Sequence, residues 1–361
     1  MISLRKLATI RKVLELRQIE GADLIEVAII DGWQCIVKKG EFKVGESVIY
    51  IEIDSVVPAQ EKFEFLRKRN FRVRTIKLRG QISQGLALPL SFLPDKKYNL
   101  GDDVTDILGI TKYDPERQEE LDGLLKKKKN PIIKLLMRFK WFRRLYKPKK
   151  DNGGFPDWIA KTDEPRIQNL VNLFQREREL GTKFIATEKI DGQSATYFLK
   201  KVGKKFQFGV CSRRENISND PNHGGSYWKI ANKLKIKDVL TALIGNEDFI
   251  VLQGENFGKN IQGNKYKLDD LDFRAFNLIF PSGKVPTPKM KELLEPLGVK
   301  VVDIISEDFI LPETIEEIVE FSKGNSLLLP AQKREGLVFR NFEKGISFKA
   351  INPEFLLNEK D

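Results

Sequence analysis

The chain has 361 residues, 41% hydrophobic and 32% charged, enough for two domains with cores of their own and too apolar for a disordered polymer. One histidine, His223, and two cysteines, Cys35 and Cys211, exclude a tetrahedral Cys/His zinc site within one chain and any disulfide framework, and point to a reducing compartment. The formal net charge of +12 is concentrated: residues 126–150 hold twelve Lys and Arg and no acid, and the other 336 residues balance at 51 basic against 51 acidic.

No uninterrupted apolar stretch approaches the roughly 18 residues of a membrane span. Charges interrupt the N-terminal MISLRKLATIRKVLEL too often for a signal-peptide core. Its basic start admits a mitochondrial presequence, but an amphipathic first strand in a cytoplasmic protein is the expectation. Short strand-like runs follow at Ile25 to Ile30, Trp33 to Val37, Ser47 to Ile53 and Phe71 to Leu78, punctuated by Gly32, Gly40, Gly45, Pro58, Gly80, Gly85 and Pro89. That rhythm predicts a small all-β module over residues 1–100, an OB-like barrel first and a small β-sandwich second.

Residues 101–154 break the β pattern with a tetralysine, a basic and aromatic stretch containing Phe139, Trp141 and Phe142, and the turn-forming Asp151-Asn152-Gly153-Gly154. They read as a basic interdomain linker. Either the segment grips phosphates while its aromatics stack on bases, or the aromatics pack on a domain and the lysines merely solvate the surface. A helix lying on a membrane surface is a third option.

A second domain is expected over residues 155–361. Arg166 to Leu180 carries apolar residues at helical spacing and ends at Gly181. Strands are predicted at Lys205 to Cys211, Phe249 to Leu252, Phe273 to Phe280, Leu337 to Arg340 and Ile346 to Ile351, and helices at Tyr227 to Lys235, Lys289 to Leu297 and Glu313 to Ser322. The mixture predicts an α+β domain with a largely antiparallel sheet.

Within it, Thr187-Glu188-Lys189-Ile190-Asp191-Gly192 places a lysine at a strand end, with Asp191-Gly192 supplying the turn. A four-residue K-x-D-G match alone is a weak signal and fits a surface lysine in a turn. As a nucleophile toward phosphorus, the amine needs cationic or metal neighbours that favour its neutral form, and Asp191 is suited to a hard divalent cation. Further strand-end clusters follow: Ser212-Arg213-Arg214 with two guanidiniums, Gly254-Glu255 and Glu335-Gly336 with a carboxylate each, Phe276 with a ring for a purine, and Lys349 for a phosphate. Singly each has a bland explanation, with Phe276 in the core and Arg214 a solvated edge charge. In this order together they do not.

This ordered set resembles the covalent nucleotidyltransferase superfamily of ATP-dependent polynucleotide ligases and RNA capping enzymes, and most closely the ATP-dependent RNA ligases with an N-terminal OB-fold domain. The resemblance extends to KKGEFKVGESVIYIEIDSVVP, RGQISQGLALPL and FPDWIAKTDEPRIQNL. It implies an ATP-grasp-like nucleotidyltransferase (ligase adenylation) domain and RNA repair that joins 3′-hydroxyl and 5′-phosphate ends. ATP and Mg²⁺ or Mn²⁺ would be the cofactors and RNA the partner of a monomer. Lys189 would be the adenylated residue. Glu188, Asp191, Gly192, Arg213, Glu255, Phe276, Glu335, Lys349 and Arg166 would form the nucleotide site, and Asp191, Glu255 and Glu335 would serve the metal. One departure stands out: Ser347 replaces the first lysine of the usual K-x-K motif, which leaves one phosphate contact to another cation such as Lys344. The basic segment does not map onto the family pattern.

An ATP-dependent DNA ligase or a capping guanylyltransferase would place its OB domain after Lys349, where only twelve residues follow. A non-catalytic RNA-binding protein would not need the nucleophile and both carboxylates. A P-loop is excluded, because the G-x-x-x-x-G from Gly258 to Gly263 continues as Asn264-Lys265.

Overall fold

The computed structural model describes residues 6–113, 153–217 and 225–357. The chain divides into two units, Met1–Lys150 and Asp151–Asp361.

The first unit is built on one long strand. β1 (Ala8–Gln18) pairs through its second half with β2 (Ile25–Ile30) and through its first half with the later β4 (Ser47–Ile51), with a register shift between Val13 and Glu15. β3 (Trp33–Lys38) lies outside β2, giving the antiparallel order β3-β2-β1-β4-β8 once Leu86–Leu88 adds as β8. Before that strand come β5 (Ser55–Val56), β6 (Ile76–Leu78) and β7 (Gln81–Ser83). A strand that bends to serve two neighbours curls the sheet into a nearly closed barrel, the OB fold.

Packing explains the sequence of β4, Ser-Val-Ile-Tyr-Ile. Val48 and Tyr50 enter a core with Val13, Trp33 and Cys35, while Ile49 and Ile51 enter another with Phe63, Leu66 and Leu88. Both faces are covered, so the run does not alternate with polar residues. The expected end of the module at residue 100 falls short. Val104, Leu108 and Ile110 are buried in the Phe63 core, and β9 (Thr111–Lys112) pairs with Ser55–Val56. Charged neighbours masked these three apolar residues in the sequence.

The expected strand from Phe71 is confined to Ile76–Leu78. A 3₁₀ helix, Glu61–Arg69, precedes it, and Asn70 and Phe71 take φ of 50° and 59°, a left-handed step that reverses the chain. The basic segment 126–150 and its aromatics lie outside the described residues.

The second unit runs α1 (Val171–Glu179), β10 (Lys183–Lys189), β11 (Gln193–Val202), β12 (Lys205–Cys211), α2 (Gly225–Lys233), α3 (Ile236–Ile244), β13 (Phe249–Gly258), β14 (Leu271–Phe280), β15 (Gly283–Lys284), α4 (Thr287–Leu294), β16 (Ile304–Ile310), α5 (Ile315–Ser322), β17 (Gly336–Asn341), β18 (Ile346–Ile351) and α6 (Pro353–Leu357). Two antiparallel sheets result, ordered β16-β10-β17-β18 and β12-β11-β13-β14-β15. α1 and α5 cover the first through Phe174, Ile315 and Ile318, and α2 to α4 cover the second through Ile230, Leu240 and Met290.

The helix expected over Arg166 to Leu180 begins late. Residues Ile167–Asn169 form a 3₁₀ turn, and Leu170 leaves helical geometry before α1 starts. α3 and β16 had no sequence counterpart among the expected elements. Both free thiols are buried, and burial pushes Cys35 and Cys211 up to about 12, which makes them inert core residues. Among the described residues no helix is long and apolar enough to cross a membrane.

Candidate active site

Lys189 is the last residue of β10, in the first sheet, and Gln193 is the first of β11, in the second. Ile190, Asp191 and Gly192 therefore form the crossover between the sheets, and the site is built where the chain changes sheet. Only glycine fits at position 192. A Cβ there would lie 2.2 Å from the Asn256 carbonyl oxygen and 3.0 Å from Glu255 Cγ.

Register does the rest. Lys189 pairs with Gly336 across β10 and β17, which brings Glu335 alongside, and Lys189 Nζ donates to Glu335 Oε2 at 2.7 Å. A Cβ on Gly336 would meet the Ala350 carbonyl oxygen at 2.2 Å, so β17 and β18 approach closely there. Ser194 pairs with Glu255, which carries the second carboxylate into the same place from β13.

The charges act strongly on one another. Burial disfavours the Lys189 ammonium, but Glu335, Glu255 and Asp191 outweigh it and raise its pKa above the ordinary lysine value. Burial pushes Glu255 up to about 8, with Glu335 and Asp191 adding to it and Lys189 and Arg213 opposing it. Glu335 is likewise raised by burial, against the pull of Lys189. The cluster is a protonated lysine held among carboxylates that resist ionising together, a place that favours an added cation.

Asp191 is fixed from two sides. Its backbone N–H donates to Tyr266 Oη at 2.9 Å, and Lys265 Nζ lies 2.7 Å from Asp191 Oδ2. Lys265 also sits 4.3 Å from the centroid of the Phe355 ring. Neither Lys265 nor Tyr266 stood out in the sequence, because both lie in a loop with no motif of its own.

A strap from Ala160 to Arg166 runs from the second sheet to the first. Gln253 Nε2 donates to the Ala160 carbonyl at 2.9 Å, and the Thr162 and Ser194 hydroxyls are 2.9 Å apart. Asp163 then bridges two cations, accepting from Arg213 Nη2 at 2.8 Å and from Lys349 Nζ at 3.2 Å. Glu164 accepts from Arg340 Nη2 at 3.1 Å, and the Lys349 backbone N–H donates to the Pro165 carbonyl at 2.9 Å. Arg166 is buried where it bridges to Lys349. Arg213 and Lys349 thus come together on Asp163, an acidic residue that sequence reasoning passed over, and Arg166 joins them through a backbone bridge to Lys349. The signal was present as the acidic pair Asp163-Glu164 directly before Pro165-Arg166.

Burial would raise Glu164, yet Arg340 and Lys284 overcome it and hold the carboxyl below its usual range. The Arg340 guanidinium carbon lies 5.8 Å from the centroid of the Phe276 ring. Phe276 itself is half-buried against the core of the second sheet, where it combines core packing with a partly open ring.

Two residues have partners away from the Lys189 cluster. The Glu188 carboxylate is not directed at the Lys189 cluster: its oxygens accept from Ser326 Oγ at 2.5 Å and the Leu327 N–H at 2.8 Å, because successive side chains on a strand point to opposite faces. Glu188 anchors the loop before β17. Lys344 does not take the place of the lysine missing at Ser347, since its Nζ is held at 2.7 Å by both Glu177 Oε2 and Thr182 Oγ1.

A family model for RNA ligases matches residues 182–351, and an OB-fold domain model matches residues 7–90. A solved mutant RNA ligase from Naegleria gruberi, with AMP and Mn, is 34% identical, with a TM-score of 0.79 over 98% of this chain and 99% of that one. The chain belongs to the RNA ligase family. A second structure of the Naegleria gruberi ligase, a mutant with ATP and Mn, matches with the same identity, coverage and TM-score. A third, with PPi, matches at 34% identity and a TM-score of 0.78 over 98% of each chain. None of the curated proteins matches the chain. The ligase is therefore an enzyme that acts on RNA.

Proposed function

We propose that this RNA ligase seals RNA 3′-hydroxyl and 5′-phosphate ends with ATP, through an adenylate on Lys189, and works as a cytoplasmic monomer in RNA repair. The observation that carries the reading is the Lys189 ammonium, 2.7 Å from Glu335 Oε2 and within the field of Glu255 and Asp191, at the crossover of the two sheets.

In the first step Lys189 Nζ, having lost its proton, forms a bond to the α-phosphorus of ATP. The bond from that phosphorus to the bridging oxygen breaks, and pyrophosphate leaves. Lys349 and Arg166 sit on the strap side of the site, suited to the phosphate. Arg213, released from Asp163, is suited to the ribose, and Phe276 offers its open face to adenine. In the second step an RNA 5′-phosphate oxygen attacks the same phosphorus and displaces Lys189, giving a 5′-5′ pyrophosphate end. In the third, a 3′-hydroxyl attacks the RNA phosphorus and AMP leaves. Positioning and charge neutralisation supply most of the catalysis, as in other phosphoryl transfers.

Mg²⁺ or Mn²⁺ fits the donor set. Asp191, Glu255 and Glu335 offer hard oxygen donors, and their mutual repulsion adds to the burial that raises Glu255 to about 8. Among the described residues no three His, Cys, Asp or Glu side chains converge tightly enough to hold an ion alone, so a cation here would keep waters and take phosphate oxygens as ligands. When bound, it would disfavour the ammonium form of Lys189 and offset charge on the phosphates.

The test is incubation with α-labelled ATP and Mg²⁺ or Mn²⁺. Covalent label on the wild-type chain and none on Lys189→Ala is the expected result. An unlabelled wild-type protein, or an equally labelled variant, overturns it.

A further inference from the structure

Residues 65–94 of the first unit hold seven Lys and Arg and no Asp or Glu. Within this run Arg67 pairs with Glu64, and Arg72 pairs with Asp54 at 2.7 Å. At the end of the run, β6 and β7 form a two-residue hairpin in which Leu78 pairs with Gln81 and Arg79-Gly80 make the turn. All five residues from Lys77 to Gln81 are exposed.

The hairpin is rigidly mounted on β3, the edge of the barrel sheet. Gln34 Nε2 donates to the Ile82 carbonyl at 2.8 Å, the Ile36 N–H to Ser83 Oγ at 2.9 Å, and the Gln84 N–H to the Gln34 carbonyl at 2.7 Å. Arg79 and Gly80 have φ of 47° and 80°, the left-handed pair of a type I′ turn, in which asparagine or glycine takes the first position with least strain. A long cationic side chain stands there instead.

We propose that this hairpin is an RNA-binding element of the ligase, with Lys77 and Arg79 gripping backbone phosphates of the RNA being sealed. The inference deepens the RNA-sealing reading and rests on it. From Arg74 to Gln84 the chain has no aromatic residue on which a base could stack, so recognition falls on phosphates and is independent of sequence.

The test is the double variant Lys77→Gln, Arg79→Asn in the full chain. Asparagine suits the left-handed turn, so the thermal midpoint should be unchanged or higher, and Lys189 labelling by ATP alone should equal wild type. Binding to fluorescent nicked RNA duplexes of two unrelated sequences should weaken several-fold and equally for both. The slope of log K against log salt should flatten by roughly 0.7–0.9 for each phosphate that the variant no longer neutralises. A variant that labels normally and binds RNA with wild-type affinity and slope overturns the hairpin assignment alone. A wild-type chain that takes no label overturns the adenylation reading instead, whatever the hairpin does.

Discussion

Lys189 Nζ and Glu335 Oε2, 146 residues apart in the chain, share a hydrogen bond of 2.7 Å. The pair holds the nucleophile protonated and in place, so the resting site is armed in geometry but not in charge. Glu335→Gln removes the largest influence that raises the Lys189 pKa, leaving burial less opposed. The reactivity of Lys189 toward an amine-selective reagent, followed against pH, should show a midpoint displaced to lower pH in the variant. Coincident midpoints would exclude the pair as the cause.

Asp163 occupies two cations at once, Arg213 and Lys349, and both pairs are partly exposed. An incoming phosphate must compete with this carboxylate. Asp163→Asn should therefore strengthen pyrophosphate binding by roughly two- to fivefold, the range that exposed pairs of about 0.5–1 kcal/mol allow. Calorimetric titration of pyrophosphate into both proteins measures it, and weaker binding to the variant would mean that Asp163 orders the cations rather than competing for them.

Gly192→Ala places a Cβ 2.2 Å from the Asn256 carbonyl oxygen, a backbone atom with no freedom to swing aside. Overpacking of this kind costs about 1–3 kcal/mol. A lowered melting temperature should accompany loss of covalent labelling, because the same crossover sets Asp191 beside Lys189. Gly203→Ala, in the open turn between β11 and β12, should leave labelling intact.

Lys344 and Glu177 form a structural anchor between α1 and the β17–β18 turn, reinforced by Thr182. Hydrogen bonds from Lys344, then Thr182, hold the Glu177 carboxyl down at about 2, against an ordinary value of 4.5. A depressed folded value means that the stabilisation is present above about 4.5 and is lost as the pH falls through about 2. Urea midpoints taken between pH 6 and 3 should fall less steeply in Glu177→Gln than in wild type. Lys344→Ala should lower stability while leaving ATP affinity unchanged; a loss of ATP affinity would return Lys344 to the phosphate site.

Much of the architecture was legible because it is written in short-range pattern. The strands Ile25–Ile30, Lys205–Cys211 and Ile346–Ile351 have the bounds expected from their apolar runs. Strand alternation and turn residues act within a few positions, so they survive being read one segment at a time. α3 was missed because its apolar residues follow directly on α2, with no glycine or proline between them. β16 was missed because its run Ile-Ile-Ser-Glu-Asp-Phe-Ile carries acids that mask an edge strand.

The sequence by itself determined the two-unit order, the OB-like first unit and the residue types the chemistry requires, since each is carried by local periodicity or a contiguous motif. Tertiary structure alone decided which of those residues meet. Strand register delivered Glu335 and Glu255 to Lys189, strand pleat turned Glu188 to the other face, and the Asp163 strap joined Arg213 to Lys349. It also drew Lys344 away to Glu177. Partners tens to hundreds of residues apart are chosen by sheet pairing and by burial of charge, and neither leaves a periodic mark on the chain.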